Sequence, residues 1–390
     1  MRLAALQNER TMASSILAEL ALDKITRSII MVAGVGGAGG NTLNHMVEMG
    51  IDNVSFMACN TDAQALKESK ADFKVQLGSG LGAGNKPDRG SQAAKESADD
   101  LVDLMRSEGT QMLFITAGMG GGTGTGASPI LAKAAQELGI LTVAIVTTPY
   151  YAEGPIRNKQ AESGIEELRH YTDSLMVINN DNIAMIHGDL PYDEGFRKAD
   201  DILGTTIKGI VGIITRHGTV NVDFADVNTV MKESGKAFVG AGTAEGAGRA
   251  EEAIEASVAS LLNFRDITGA QNILLNMCYG DKPMTQNETR TILTNIQRRT
   301  GGTANIIWGA TRRAELGKKL ELTIIATGFP GEGADSIYVP PPNGGEEGGE
   351  TGSGKSSVAE GEDKKSFWDK MTEILNIIVP TEKEGDDCEI

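Results

Sequence analysis

The chain has 390 residues, long enough for two domains, and its 40% hydrophobic but only 4% aromatic content predicts aliphatic cores. A net charge of −17 excludes non-specific binding to nucleic acid, because phosphate backbones are neutralised by Lys and Arg. Three well-separated cysteines (Cys59, Cys278, Cys388) and four scattered histidines exclude a disulfide framework and clustered zinc ligands; reduced thiols in a cytoplasmic protein, no protein-built metal cage, no signal peptide and no transmembrane segment are expected.

Residues 1–27 read as a helical N-terminal extension, with SSILAELALDKI apolar at helical spacing. SIIMVAG is a short apolar strand, followed by GVGGAGG and the helix NTLNHMVEMG, ending at Gly50. NVSFMACN is a second strand. QMLFITAG is a third, leading through GMGGGTGTG into the helix SPILAKAAQELG. ILTVAIVTT and DSLMVINN are further strands, the last ending near Asn180. Continuous apolar strands alternating with helices predict an α/β fold, a parallel doubly wound sheet covered on both faces.

GFRKADDILGTTIKGIVGIITRHG predicts a long central helix at about 195–217, its periodic Ile, Leu and Val implying burial between two bodies. Beyond it KAFVGAG, NILLNMC, NIIWGA and LELTIIATGF read as strands, and AEEAIEASVASLLN and ETRTILTNIQRR as helices, a smaller α+β domain. The expected divisions are 1–27, a nucleotide-binding domain at 28–217, the α+β domain at 218–330, an acidic disordered linker at 331–365, an amphipathic helix at 366–380 and an acidic tail at 381–390. From Asn343 onward 13 Asp/Glu face 5 Lys.

Three glycine-rich stretches compete for a phosphate. GETGSGKSS (349–357) fits the G-x4-G-K-[ST] pattern through Lys355. No strand precedes it and no packed helix follows, so its N–H groups have no scaffold, and it reads as a linker. GVGGAGG does lie between a strand and a helix, and Asp62 at the end of the next strand suits a ribose hydroxyl, so an NAD-binding oxidoreductase fits this stretch. GMGGGTGTG also lies between strand and helix, with six glycines and two threonines offering N–H donors and hydroxyls without obstruction. Two such loops on neighbouring strand ends suit a triphosphate gripped from both sides. NVDFADV places Asp223 and Asp226 three apart, on one helical face. Helix capping is the simpler account of them, and polarising a water molecule is the other.

FITAGMGGGTGTGASP, taken with GVGGAGGN, NTDAQAL and NVDFADV, resembles the FtsZ family of tubulin-like cell-division GTPases, from about Ile29 to Gly328. The resemblance implies that GTP or GDP is held by Gly36, Gly37, Gly39, Gly40 and Asn41, by Asn60, and by Gly120, Gly121, Gly122, Thr123, Gly124, Thr125 and Gly126. It implies that Glu153, Arg157, Asn180 and Asp201 hold the base and ribose, and that Mg2+ is bound mainly through phosphates and water. It implies further that Asn221, Asp223 and Asp226 enter the nucleotide pocket of the next subunit in a head-to-tail homopolymer at the division site. A tubulin-like filament with little hydrolysis is the remaining alternative.

Two departures from the family accompany the resemblance: QLGSGLGAGNKP is shorter at 78–84 than usual, and the usual adaptor-binding terminal peptide is missing. In its place SFWDKMTEILNIIVP sets Phe367, Met371, Ile374, Leu375 and Ile378 on one helical face. A division or membrane-adaptor protein is the expected partner, since Asp369, Lys370 and Glu373 lack the basic excess that anionic lipid attracts. The chain's own globular part is the other candidate surface.

Overall fold

The computed structural model describes residues 28–187, 191–215, 220, 222–259 and 267–329. The expected N-terminal extension, Asn221, Lys355, the linker and the 366–380 helix lie outside the described residues. Because IMVAGV, MLFITAG and SLMVIN have no polar alternation, these strands are buried on both faces. In chain order the first part comprises β1 (Ile30–Val35), α1 (Gly36–Glu48), β2 (Ser55–Asn60), α2 (Ala63–Glu68), β3 (Phe73–Gln76), α3 (Pro87–Glu96), α4 (Ala98–Ser107), β4 (Met112–Gly118), α5 (Thr123–Glu137), β5 (Leu141–Thr148), a short 3-10 turn (Tyr151–Glu153), α6 (Pro155–Arg169), β6 (Ser174–Asn179) and α7 (Asn180–His187). The central helix α8 (Tyr192–Thr215) follows, then α9 (Phe224–Met231), β7 (Gly235–Ala244), α10 (Arg249–Ala259), β8 (Asn272–Tyr279), α11 (Gln286–Arg299), β9 (Asn305–Arg312) and β10 (Leu320–Thr327).

The strands form one ten-stranded sheet ordered β3-β2-β1-β4-β5-β6-β7-β10-β8-β9. β1 to β6 are parallel to their neighbours, whereas β10 runs antiparallel to β7 and β8. The two halves join through two residue pairs, Ser174 with Gly235 and Leu175 with Lys236. α8 covers this junction: its Leu203, Ile207, Ile210 and Val211 share one core with Ile30 and Phe114 on one side and Leu274 and Ile325 on the other. A second core lies on the opposite face of the parallel half, and a third beneath α10 and α11. Among the described residues no helix is long and apolar enough to cross a membrane.

Two helices begin earlier than the sequence predicts. α1 starts at Gly36 rather than near Asn41, and α5 at Thr123 rather than Ser128. The glycines are there for close approach: a Cβ on Gly39 would stand 2.3 Å from the Thr116 carbonyl oxygen, and one on Gly126 would stand 2.0 Å from that of Pro87. The glycine stretches are therefore the first turns of packed helices, with little free loop between strand and helix.

Candidate functional site

In a parallel sheet every strand ends at the same edge, so Gly36, Thr61, Met119, Pro149 and Asn180 all leave from one side of the molecule. There the N-termini of α1 and α5 converge. Gly36 has φ +75°, and a Cβ on it would lie 2.9 Å from the Gly124 nitrogen. Neither helix has a side-chain cap or an acidic residue in its first turn, whereas α2 is capped by Asp62, α9 by Asp223 and α11 by Thr285. The first-turn N–H groups and the positive ends of both helix dipoles thus face one place with no cap or carboxylate from their own first turns, and Glu68 of α2 lines the neighbouring cleft.

The glycines divide into two kinds. A Cβ on Gly37, Gly40 or Gly121 would meet nothing within 4 Å, so these three border open space. Gly39, Gly122, Gly124 and Gly126 are hemmed in by neighbouring backbone or side chains and hold the framework. Gly120, at φ +94°, donates its N–H to Thr125 Oγ1 at 2.8 Å, which fixes the turn. The Thr123 and Thr61 hydroxyls are 2.6 Å apart and tie α5 to the end of β2. Asn60 is buried, and its Oδ1 accepts the Asp62 N–H at 3.2 Å. Asn41 is exposed and lines, with Gly37, Gly40 and Asn60, a cleft between α1 and β2.

Glu153 and Arg157 pair with each other, Oε2 to Nη1 at 3.0 Å, and the Arg157 carbonyl oxygen would be 3.0 Å from a Cβ on Gly120. Glu153 Oε1 also accepts the Tyr150 N–H at 2.9 Å. Asn180 is 6% exposed, and its Oδ1 has no donor. A buried amide oxygen left unpaired costs about 1–3 kcal/mol, so it marks a place where a ligand N–H is wanted. Asp201 is differently engaged. Its carboxylate accepts from His45 Nε2 on α1 at 2.6 Å, with Lys198 Nζ 4.0 Å away. Next to it Asp200 accepts from the Thr42 hydroxyl, and burial pushes its pKa up.

Several residues at this edge have no local sequence signal. Tyr150 and Phe196 stack edge to face with centroids 5.7 Å apart, an aromatic pair joining the β5 loop to α8. Asp181 accepts the Tyr151 N–H, and burial raises its pKa. The loop 78–84 turns through left-handed Gly78, Gly80, Gly82 and Gly84 and pairs with Thr61 and Ala63. It leaves Leu81 91% exposed; Ile156 (75%) and Tyr151 (58%) are the other exposed large apolar side chains of the described residues. Leu81 lies in the loop after β3, Tyr151 in the 3-10 turn after β5 and Ile156 in the first turn of α6, all at this same edge.

Asp62 caps α2, its Oδ1 accepting the N–H groups of Gln64 and Ala65. The acid that an oxidoreductase would keep for a ribose is thereby committed to a helix. Cys59 is buried and its thiol is pushed up to about 12, so at neutral pH it is neither a nucleophile nor a redox group. Among the described residues no group of three or more His, Cys, Asp or Glu side chains is arranged to hold a metal ion.

Asp223 and Asp226 are not brought to this edge. They form a reciprocal capping box on α9: Asp226 N–H to Asp223 Oδ1 at 2.9 Å, and Asp223 N–H to Asp226 Oδ2 at 3.1 Å. Each keeps one carboxylate oxygen outside the box, and Asp223 is exposed. α8 passes Thr42 and His45 at Asp200 and Asp201 and runs parallel to α1, with Lys208 donating to the Met49 carbonyl oxygen at the foot of α1. α9 then ends at the foot of β6, where the Glu233 N–H bonds Asp173. A six-residue strand spans ~20 Å, so the glycine turns and the foot of α9 lie at opposite edges of the sheet.

Residues 29–188 match the family model described as Tubulin/FtsZ family, GTPase domain, and residues 235–330 match FtsZ family, C-terminal domain. The chain is 43% identical to the cell division protein FtsZ of Coxiella burnetii over 317 residues, covering 80% of this chain and 81% of that one. It is 43% identical to that of Haloferax mediterranei over 303 residues, covering 77% and 80% respectively. A solved structure titled as an empty FtsZ dimer of M. jannaschii aligns with a TM-score of 0.72 at 39% identity, over 81% of this chain and 92% of that chain.

Proposed function

The chain belongs to the FtsZ family and is a cell-division GTPase of the tubulin superfamily, and from this premise we propose how its own residues bind GTP and hydrolyse it. The phosphates lie between the first turns of α1 and α5, received by the N–H groups of Gly37, Gly40 and Gly121 and by the Thr123 hydroxyl, while the buried Thr125 holds the turn. Convergence of two uncapped helix N-termini, neither with an acidic residue in its own first turn, is the observation that carries this reading. Asn180 Oδ1 takes an N–H of the guanine edge, which relieves its orphaned state and disfavours adenine, whose edge lacks the paired donors. Glu153 and Arg157 border the ribose and phosphates, and Tyr150 with Phe196 wall the base. Mg2+ would be carried on the phosphates and water, since no acidic residue stands in either first turn.

Water activation falls to Asp223 and Asp226, with Asn221, of a second copy. Their position at the far edge from the glycine turns supports this, because one chain cannot fold them back across the sheet. An acceptor face and a carboxylate face at opposite ends make a heterologous, head-to-tail contact, which extends into a filament. Leu81, Tyr151 and Ile156 rim the acceptor face and supply apolar contact area. The relative described as an FtsZ dimer supports assembly between copies. Such filaments would act in the cytoplasm at the division site, with adaptor proteins reached through 366–380. The residue boundaries of the two units, 28–217 and 218–330, belong to the same reading.

The test is GTP turnover per subunit against protein concentration, followed together with light scattering. Turnover that appears only above the concentration at which scattering begins is expected. Turnover per subunit that stays constant on dilution would place the whole reaction within one chain and refute the shared site.

A further inference from the structure

We propose that the groove between α11 and β9 is the docking site of the chain's own 366–380 segment, and that the docked segment covers the face beside the carboxylate loop. The groove has a volume of about 430 Å³ and is walled by Val220, Met284, Leu293 and Trp308, with Thr289 and Arg290 at its edge. The four apolar side chains are half-buried: each packs on the third core with one side. A tryptophan and an arginine among aliphatic side chains make the composition from which anchor pockets are built.

Three observations select this occupant. The first is the matching apolar stripe, Phe367, Met371, Ile374, Leu375 and Ile378. The chain has two tryptophans, Trp308 in the groove and Trp368 in the segment. The second is charge. α11 presents Arg290 and Arg298 to solvent, while the charge of Glu288 on the same helix is taken up by Arg249. The segment runs on into Glu382, Glu384, Asp386, Asp387 and Glu389, against a single Lys383. The third is reach. β10 ends beside Asn272, which pairs with Asn305, and the groove lies three to five residues further along β9 at Trp308 and Ala310. The path along β9 and across two strand spacings is ~20 Å. Residues 330–365 supply 36 residues of chain, whose greatest possible reach is over ~100 Å, far more than the path requires. A tethered segment is present at an effective concentration of order millimolar, above any free partner at micromolar levels.

Val220 is three residues from Asp223, so a segment in the groove stands against the loop that the proposed mechanism offers to the next subunit. This second half of the proposal rests on that mechanism; the docking itself does not. The experiment uses the full chain carrying Trp368→Phe, so that Trp308 is the sole tryptophan, without nucleotide and at low concentration. Acrylamide quenching is compared with the same chain also carrying Ile374→Glu and Leu375→Glu. An at least twofold higher quenching constant in the latter is expected, unchanged by tenfold dilution. Equal quenching would overturn the docking, and protection that fades on dilution would overturn it in favour of a second copy. The tail variant should also lower the concentration threshold for GTP turnover severalfold. An unchanged threshold beside a protected Trp308 would overturn the covering role. A chain without any threshold would count against the shared catalytic site and leave the docking result standing.

Discussion

Asp226 holds the N–H of Asp223 in a capping box and, in the proposed mechanism, also polarises water in a neighbouring subunit; Asp226→Asn separates the two roles. An asparagine oxygen still accepts that N–H, so the loss is confined to the charge–dipole term at a helix N-terminus, about 0.3–1 kcal/mol. For a domain of this size class that is a fall in Tm of roughly 1–4 °C. Asp226→Ala also loses the hydrogen bond, a further ~0.5–1.5 kcal/mol. Turnover should behave differently. Without the carboxylate, general-base assistance is lost, and the rate should fall by ~10²–10⁴ in both variants. That corresponds to about 3–5 kcal/mol in the barrier, well beyond the stability change. The assays are thermal unfolding, light scattering and phosphate release under identical conditions. Filaments of the asparagine variant should form normally and persist longer, because the nucleotide is consumed slowly. Wild-type turnover in the asparagine variant, with turnover in the alanine variant falling only as far as its stability does, would refute the reasoning and leave Asp226 a helix cap.

Gly39→Ala sets a Cβ against the Thr116 carbonyl oxygen and should cost about 1–3 kcal/mol and abolish nucleotide binding, while Gly37→Ala, facing open space, should keep its Tm; calorimetry with GDP titration compares them. Arg249 is fully buried and bonds Glu288 and the carbonyl oxygens of Lys282, Pro283 and Lys318, so Arg249→Met should destabilise the chain by roughly 3–5 kcal/mol in denaturant unfolding. The hydrogen bond from Arg249 holds the Glu288 pKa down at about 2 against its ordinary 4.5. The stabilisation this pairing gives is therefore complete above pH 4.5 and is lost as pH falls toward 2, and acid unfolding of Glu288→Gln should lack that component. Native Cys59 should resist iodoacetamide at pH 8 and react only after unfolding, which mass spectrometry of the peptide reads directly.

The parallel half was legible because its strands are buried on both faces and so appear as unbroken apolar runs. Elements that pack through small or polar residues gave no such pattern. α3, PDRGSQAAKE, has no side chain larger than alanine in its buried face and meets α5 through Gly90, Ala94, Gly122 and Gly126. β3, FKVQ, alternates between half-buried and exposed as an edge strand. The glycine turns could be located by their motifs, but their conformation depends on Thr116 and Pro87, which are distant in sequence. Asp201 has an acidic neighbour in sequence and a histidine in space, 156 residues away, and only the packing of α8 on α1 reveals that pair. Pairing with His45 leaves Asp201 one carboxylate oxygen for a ligand, with Lys198 at the margin.

The spacing of the two faces follows from α8. Asp201 and Asp223 are 22 residues apart in sequence, a distance that a loop would close easily. As a continuous helix of 24 residues α8 is instead ~36 Å long, and its periodic Leu203, Ile207, Ile210 and Val211 clamp it to both halves of the sheet. Such a helix cannot bend to bring the carboxylates home without exposing that core, and four fully or nearly buried aliphatic side chains resist exposure by about 1.5–3 kcal/mol each. Hydrolysis within one chain would therefore require breaking the core, whereas hydrolysis between chains needs only contact. In the proposed mechanism the rigidity that keeps the carboxylates from the glycine turns of their own chain also holds the two faces a fixed distance apart, and a fixed offset between unlike faces is the condition for each added copy to offer the same acceptor to the next.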